Sequence, residues 1–501
     1  MRNMIIIGLS GIVLSAYAIC QEKTLREFTT ARVFQTSKAG DKLALKESLR
    51  FSTSQGEKIP AINLSPEVTY QQLVGFGGAF TQSSAHVLSQ LSPKKRLEIL
   101  DAYFRSDKAA YTLMRTHINS CDFSTKNYAY DNTPGDVELK DFSISEDLSG
   151  LVPLIKDAMK CEGAEFKILA SPWTAPPWMK DNNAWNNGSL LPRYYPTWAL
   201  YFSKYIREYS KQGINIWAVT VENEPENNSG QWESMLFTPA TTADFVKNHL
   251  APQFKRDGLD AKILIFDHNR DRVKAWADGI LSDAKATECV WGTAVHWYSS
   301  SVEWFPDTLN YVHEKYPTKH LLHTEACIDT EVPRWQDDRW YWEKEAKDWG
   351  FTWAPPADKP LHPPYVPVYR YARDIIGGLN SWLEGWIDWN IVLDTKGGPN
   401  HVNNWCIAPV IAKPETDEAY YTPLYYVMAH FSKFFRPGAT RIGVSTELKN
   451  LMITSCKNSD GTIAVAILND REETVHYRIT VGGREVATKI DGNSLQTIVI
   501  E

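Results

Sequence analysis

Between residues 73 and 434 the chain alternates short runs rich in Val, Ile and aromatic residues with longer stretches of helical periodicity. The strand-like runs are Leu73–Phe80, Tyr111–Ile118, Phe166–Trp173, Ile216–Glu224, Lys262–His268, Gly292–Tyr298, His320–Ala326 and Gly385–Leu393. Helices fit between them. Ser92-Pro93 is an N-cap followed by proline at the first helical position, and Leu97, Leu100 and Phe104 then fall on one face. Pro196–Gln212 is a second helical pattern, stopped by Gly213, and Thr241–Leu250, Arg270–Ala286 and Pro423–Phe434 read the same way. Eight strand–helix units in succession predict an α/β fold, a (β/α)8 TIM barrel over residues 73–434.

The flanks follow another pattern. Residues 21–72 carry the extended runs Ala31–Gln35, Leu43–Phe51 and Ala61–Leu64 and no helix. From residue 435 on come Arg441–Ser445, Leu451–Cys456, Thr462–Leu468, Val475–Val481, Val486–Ile490 and Thr497–Ile500, separated by turn signals such as Gly482-Gly483 and Asp491-Gly492. The prediction is an antiparallel β-sandwich over 435–501, completed by the strands of 21–72, which cannot bury a face alone. Residues 1–20 read as a signal peptide: Arg2, an apolar run from Met4 to Val13, and Ala16-Tyr17-Ala18 as the cleavage site. That run is too short to span a bilayer, so export without a transmembrane segment is expected. A lipid anchor at Cys20 is the lesser alternative, because Ile19 stands where a small residue is usual.

Composition narrows the partners. With 53 Lys+Arg against 60 Asp+Glu the net charge is −7, and no basic run occurs, which argues against nucleic acid. The 19 Trp and 23 Tyr offer flat faces suited to sugar rings, nucleobases or a partner protein, and their positions decide which. No C-x-x-C pair is present, so neither a zinc knuckle nor a redox motif is signalled.

A barrel of this kind carries its chemistry on the loops after its strands. The fourth run ends Thr220-Val221-Glu222-Asn223-Glu224-Pro225 and the seventh His323-Thr324-Glu325-Ala326-Cys327. On opposite sides of the ring, two glutamates can face each other across a bound molecule. One carboxylic acid to protonate a leaving oxygen and one carboxylate to attack an anomeric carbon are what glycosidic cleavage needs. The bland alternative, surface ion pairs, sits poorly with Trp173, His296, Trp297, Tyr298, Trp386 and Trp389 at the neighbouring rims.

These segments resemble glycoside hydrolase family 30. The likeness is carried by Glu222-Asn223-Glu224-Pro225, Glu325-Ala326-Cys327, Ala170-Ser171-Pro172-Trp173-Thr174, Val295-His296-Trp297-Tyr298, Gly75-Phe76-Gly77-Gly78-Ala79, Ser120-Cys121-Asp122-Phe123-Ser124 and Gly397-Gly398-Pro399-Asn400, in order along the chain. The branches most similar are the glucosylceramidases and β-1,6-glucanases. The resemblance implies a retaining β-glycosidase with Glu224 as acid/base and Glu325 as nucleophile, their carboxyl groups about 5–5.5 Å apart. It implies Asn223 as partner of the sugar 2-hydroxyl. Arg115 and Tyr298 are the candidates for holding Glu325 ionised, while Glu224 is expected beside apolar surface that keeps its proton. Sugar recognition is assigned to Trp173, Trp389 and Asn404, with Trp386 and Asp388 beside them. His296 reads as a hydrogen-bonded rim histidine rather than a metal ligand. Glu222 reads as a buried structural carboxylate, and Cys121 and Cys327 as packing residues.

The chain departs from that pattern after Gly77-Gly78-Ala79-Phe80-Thr81, where the resemblance implies an aspartate that clamps a terminal glucose. Gln82 stands there. A neutral clamp leaves room for a chain continuing through the 6-hydroxyl. The segment Trp335–Tyr369, with Trp335, Trp340, Trp342, Trp349 and Trp353, is a candidate for a further glucose subsite. The leading expectation is an exported retaining endo-β-1,6-glucanase needing no cofactor and no metal. The alternatives are a glucosylceramidase or exo-acting β-glucosidase and, from another class, a non-catalytic glycan-binding protein. The partner is a β-glucan or a glucosyl lipid.

Overall fold

The computed structural model describes residues 28–53, 59–228, 230–329, 357 and 366–501. The leader with Cys20 and the five tryptophans of the 335–353 stretch lie outside the described residues. Eight strands close into a barrel: β1 Gly75–Phe80, β2 Leu113–Ile118, β3 Lys167–Pro172, β4 Ile216–Thr220, β5 Lys262–Asn269, β6 Gly292–His296, β7 His320–Glu325 and β8 Gly385–Asn390. All pairs are parallel, and β8 returns to β1. Several predicted runs overshoot at their C-terminal ends. β4 stops at Thr220, and Val221 to Glu224 leave the ladder to form rim. Leu113, Leu169, Ala218, Leu264, Ala294, Leu322 and Ile387 plug the interior, so the barrel is a packed core and not a pore. β1 and β2 approach so closely that a Cβ on Gly77 would lie 2.0 Å from the Leu113 carbonyl oxygen. Only glycine fits there.

Around the barrel, helix Pro93–Phe104 starts where Ser92 and Pro93 predict, with Ser92 Oγ accepting from Lys95 N–H. Its buried face is Ile99, Leu100, Tyr103 and Phe104, while Leu97 is exposed because it sits about 90° round from the centre of that face. The stretch 270–286, expected as one helix, divides into Val273–Leu281 and Ala284–Cys289. Asp283 accepts from Lys285 and Ala286 N–H and so starts a second helix. Conversely, the helical pattern at 241–250 begins earlier, at Pro239, and continues through a wide turn at Val246–Leu250 to Asp257 before the left-handed Gly258.

Both flanks build one nine-stranded sheet folded around its own core of Val33, Ile62, Ile442, Val465, Ile479 and Ile498. Strand Thr30–Ser37 pairs along its length with Ser494–Ile500, which also pairs with Ile463–Asn469. One contact, Ala61–Gln72 with Val475–Val481, is parallel. The sheet is fastened to the barrel by His430 of helix Pro423–Ser432, whose two ring nitrogens bond Thr497 Oγ1 (2.8 Å) and Thr36 Oγ1 (2.9 Å). Among the described residues no helix is long and apolar enough to cross a membrane.

Candidate active site

The C-terminal ends of the strands surround a cleft of about 460 Å³ lined by both Glu224 and Glu325. Their strands, β4 and β7, stand three places apart in the ring, not diametrically opposed. Local irregularities aim the polar groups. Asn223 N–H donates to Pro172 O (2.7 Å) and Glu224 N–H to Asp267 O (3.0 Å), and with Pro225 following, Glu224 is held at φ +48°. A left-handed glutamate is unfavourable on its own and persists because its surroundings determine it. In β5, Phe266 and Asp267 have φ of +75° and +62° where the pairing with β6 slips. That bulge turns Asp267 into the barrel. A second slip, between His323 and Glu325, sets Glu325 opposite His296.

Asp267 and Arg115, both fully buried, form the hub beneath the cleft. Arg115 donates from Nη2 to Asp267 Oδ2 (2.7 Å) and Asn223 Oδ1 (2.8 Å), from Nε to Ser171 Oγ (3.1 Å), and from Nη1 to Glu325 Oε2. The other Glu325 oxygen accepts from Tyr298 OH at 2.9 Å. Asp267 also accepts from Thr220 Oγ1 (2.7 Å) and Thr324 Oγ1 (2.6 Å), and its Oδ1 lies 2.9 Å from His296 Nε2. Burial alone would raise the Asp267 carboxyl, but the Arg115 and His296 charges hold it far below the usual range.

His296 and His268 both turn Nδ1 toward Glu224 Oε1, at 3.4 and 3.8 Å, while Asn227 Nδ2 donates to Glu224 Oε2 at 3.1 Å. Burial works against charging His296, but the charges of Glu325 and Asp267, its bond to Asp267 and the close approach of Glu224 lift it to about 9. For Glu224, burial is outweighed by the close approach of His296 and the nearby His268, His296 and Arg115 charges, so the carboxyl is held down. For Glu325, burial together with the charges of Glu224 and Asp267 outweighs His296 and Arg115, and the carboxyl is pushed up. This reverses the order expected from sequence. Beside Glu224, whose carboxylate form is favoured, the His296 imidazole is the group whose protonated form is favoured. Glu325 has cationic and phenolic donors on its two oxygens, while the negative charges round it raise the cost of its ionisation. The Glu224, His268 and His296 ligating atoms lie within 4.8 Å of one another, a spacing that could also hold a transition-metal ion.

One wall of the cleft is aromatic. Trp173 and Trp389 stack with ring centroids 5.2 Å apart, and the Arg115 guanidinium lies 4.9 Å from the Trp173 ring centroid and 5.5 Å from that of Trp389. Asn404 donates to Asp122 Oδ2 (2.7 Å), leaving Oδ1 of that buried carboxyl without a partner. Burial and the Glu325 charge push Asp122 up to about 8 against the Asn404 bond.

Of the residues expected at the site, Glu224, Glu325, Trp173, Asn223, Tyr298, Trp389 and Asn404 line the cleft, and Arg115 and His296 support it from below. Two do not belong. Trp386 points outward from β8, bonding Asp374 Oδ1 (3.0 Å) and stacking on His323 (4.6 Å), and Asp388 beside it takes the Tyr371 hydroxyl (2.8 Å). Alternation along the strand sends Ile387 and Trp389 inward and these two out. Gln82, in the first turn of helix Gln82–Ser89, turns its Oε1 to Thr125 N–H (2.9 Å), and its backbone N–H meets His117 Nε2 (3.1 Å). The aspartate in the cleft lining is Asp122, and Gln82 does not form the neutral clamp expected at its position. Asp122, Asn227, Trp232, Asp267 and His268 were not assigned roles from sequence. The signal for two of them was present in Asp267-His268-Asn269, three polar residues in a row at the end of a barrel strand.

A (β/α)8 barrel whose rim brings two carboxylates, one buried and one partly exposed, and a pair of stacked indoles into one cleft defines a glycoside hydrolase. Residues 73–348 and 365–435 match the glycosyl hydrolase family 30 TIM-barrel domain, and 438–498 match the family 30 beta sandwich domain. The chain belongs to glycosyl hydrolase family 30. It is 32% identical to the mouse (Mus musculus) lysosomal acid glucosylceramidase over 91% of this chain and 86% of that one. It is 27% identical to the endo-1,6-beta-D-glucanase BGN16.3 of Trichoderma harzianum over 86% and 84% of the two chains. The solved structure of an endo-β1,6-glucanase superposes with a TM-score of 0.80 at 29% identity, covering 94% of this chain and 98% of the other.

Proposed function

We propose that the protein is an exported, retaining endo-β-1,6-glucanase. The observation that carries the substrate reading is the side of the cleft beyond Glu224. Among the described residues the cleft lining there includes Glu226, Asn227, Asn228, His268 and Asn269, all hydrogen-bonding side chains, with the indole of Trp232 the one large apolar surface near them in sequence. A leaving group made of sugar can satisfy such a surface, whereas a lipid would strip water from it with nothing in return. In the mechanism we propose, Glu325 attacks the anomeric carbon while Glu224, taking the proton held at His296, delivers it to the glycosidic oxygen. Arg115 and Tyr298 keep the attacking oxygens oriented, and Asn223, fixed by Arg115, meets the sugar 2-hydroxyl. Water, deprotonated by Glu224, then releases the glycosyl-enzyme. Relatives that are glucosylceramidases and β-1,6-glucanases fit this chemistry equally.

A second reading, an exo-acting β-glucosidase or glucosylceramidase, is favoured by Asp122. Its partnerless oxygen beside Asn404 is suited to a terminal glucose hydroxyl. Product analysis on β-1,6-glucan, β-1,3-glucan and glucosylceramide separates the two. Oligosaccharides released early from β-1,6-glucan support the first reading, and glucose as the sole early product from every substrate overturns it. Retention is read from the anomer formed first, by proton NMR.

A further inference from the structure

Cys327 follows Glu325 by two residues and Cys406 follows Asn404 by two, and both line the cleft. The short antiparallel pair of Ile328–Asp329 with Cys406–Ile407 holds these segments side by side, with Asp329 opposite Cys406. Their Sγ atoms are 3.0 Å apart, about 1 Å more than a disulfide needs. Cys121 shares the same apolar cluster, but its sulfur faces Ser124 Oγ at 3.9 Å. Two sulfurs this close, buried at 4% and 3% exposure but set in the lining of the cleft, are placed for chemistry that a packing role does not require.

We propose that Cys327 and Cys406 are a covalent modification site, a dithiol that closes to a disulfide when a low-molecular-mass disulfide such as oxidised glutathione enters the cleft. One cysteine thiolate attacks the reagent and expels one thiolate, forming a mixed disulfide. The second cysteine, losing its proton, attacks the protein sulfur and expels the other. Two protein thiols and one reagent disulfide become one protein disulfide and two reagent thiols, so protons and electrons balance. The bond staples the end of β7, which carries Glu325, to the segment that carries Asn404. Tyr298 OH, bonded to Glu325 Oε1, also lies 3.5 Å from Cys327 Sγ, so the staple sits one contact from the reacting carboxylate.

The test uses the full chain, reduced and then exposed to oxidised glutathione, quenched by alkylation and mapped by peptide mass spectrometry. The parent is expected to lose two alkylatable thiols and yield a Cys327–Cys406 cross-link. Because the bond closes a loop of 79 residues, Tm is expected to rise by roughly 4 °C. Cys406→Ser should stop at a mixed disulfide on Cys327, with no such rise, while Cys121→Ser should still form the cross-link. Thiols that stay alkylatable in the parent, a cross-link to another cysteine, or an equal rise in Cys406→Ser would overturn the proposal. Should Cys406→Ser fail to fold, the parent's peptide map decides alone.

Discussion

Replacing Asp267 by Asn keeps the shape of the hub and removes its charge. Asp267 raises His296 and is one of the charges that raise Glu325. Both groups therefore titrate at lower pH once it is neutral, and the whole bell-shaped pH profile moves acidward. The magnitude follows from the 2.9 Å contact between Asp267 Oδ1 and His296 Nε2. At an effective dielectric of ~20 two unit charges at that distance attract by about 6 kcal/mol, a ceiling of about four pH units. The amide retains a dipole and Glu325 remains nearby, so roughly half of that, about two units, is expected. His296 holds its proton up to about 9 in the parent, so the alkaline limb should fall from there toward neutrality. The assay is kcat/KM against pH on a chromogenic β-glucoside. Breaking the buried Arg115–Asp267 pair also costs about 3–5 kcal/mol of stability, so urea unfolding of the same variant is measured alongside. A folded Asp267→Asn whose alkaline limb stays where the parent's lies would refute the assignment of that limb to the His296–Glu224 proton.

Three further outcomes are expected. Glu325→Gln should abolish turnover on every substrate, whereas Glu224→Ala should retain substrates whose leaving group needs no proton and be rescued by azide; equal loss on all substrates without rescue would reassign the acid. Gln82→Asp should leave the ratio of kcat/KM on a small β-glucoside and on β-1,6-glucan unchanged, because that side chain serves Thr125, while Asp122→Asn should cost roughly tenfold to a hundredfold on the small glucoside. His430 is buried neutral at about 3 against an unfolded value near 6.5, so between those values the unfolded chain binds the extra proton and stability present above pH 6.5 is lost as pH falls. Its share at pH 5 is about 2 kcal/mol, measurable as a drop in urea midpoint from pH 7 that His430→Gln lessens.

The two glutamates were legible because strand-end position and rim location are properties of the one-dimensional pattern, and Trp173 and Trp389 came with them. What pattern hides is direction. Trp386 and Trp389 differ by three residues in one strand and so face opposite sides, a consequence of alternation that a motif read as a block obscures. Gln82 sits beside a residue that does cap its helix, Thr81, yet its own side chain swings to a loop more than forty residues later. Asp267 reaches the site through a bulge with two left-handed residues, and neither Phe266 nor Asp267 advertises that conformation. The proton order at the glutamates escaped for another reason: it depends on charges that meet only after folding, those of Arg115, Asp267, His268 and His296 and of the two glutamates on each other.

The strand Ser494–Ile500 lies between Thr30–Ser37 and Ile463–Asn469. In terms of synthesis, the barrel emerges whole while one of the first strands made still waits for the last. Until that last strand arrives, Thr30–Ser37 and Ile463–Asn469 each present an unpaired edge, the kind of edge that invites pairing with another chain. His430 also lacks its Thr497 partner until then, so the barrel cannot be fully fastened to its companion before the final strand is laid down. The time between translating residues 435 and 500 is thus the interval of greatest exposure to aggregation, and trimming the final eight residues would make that interval permanent.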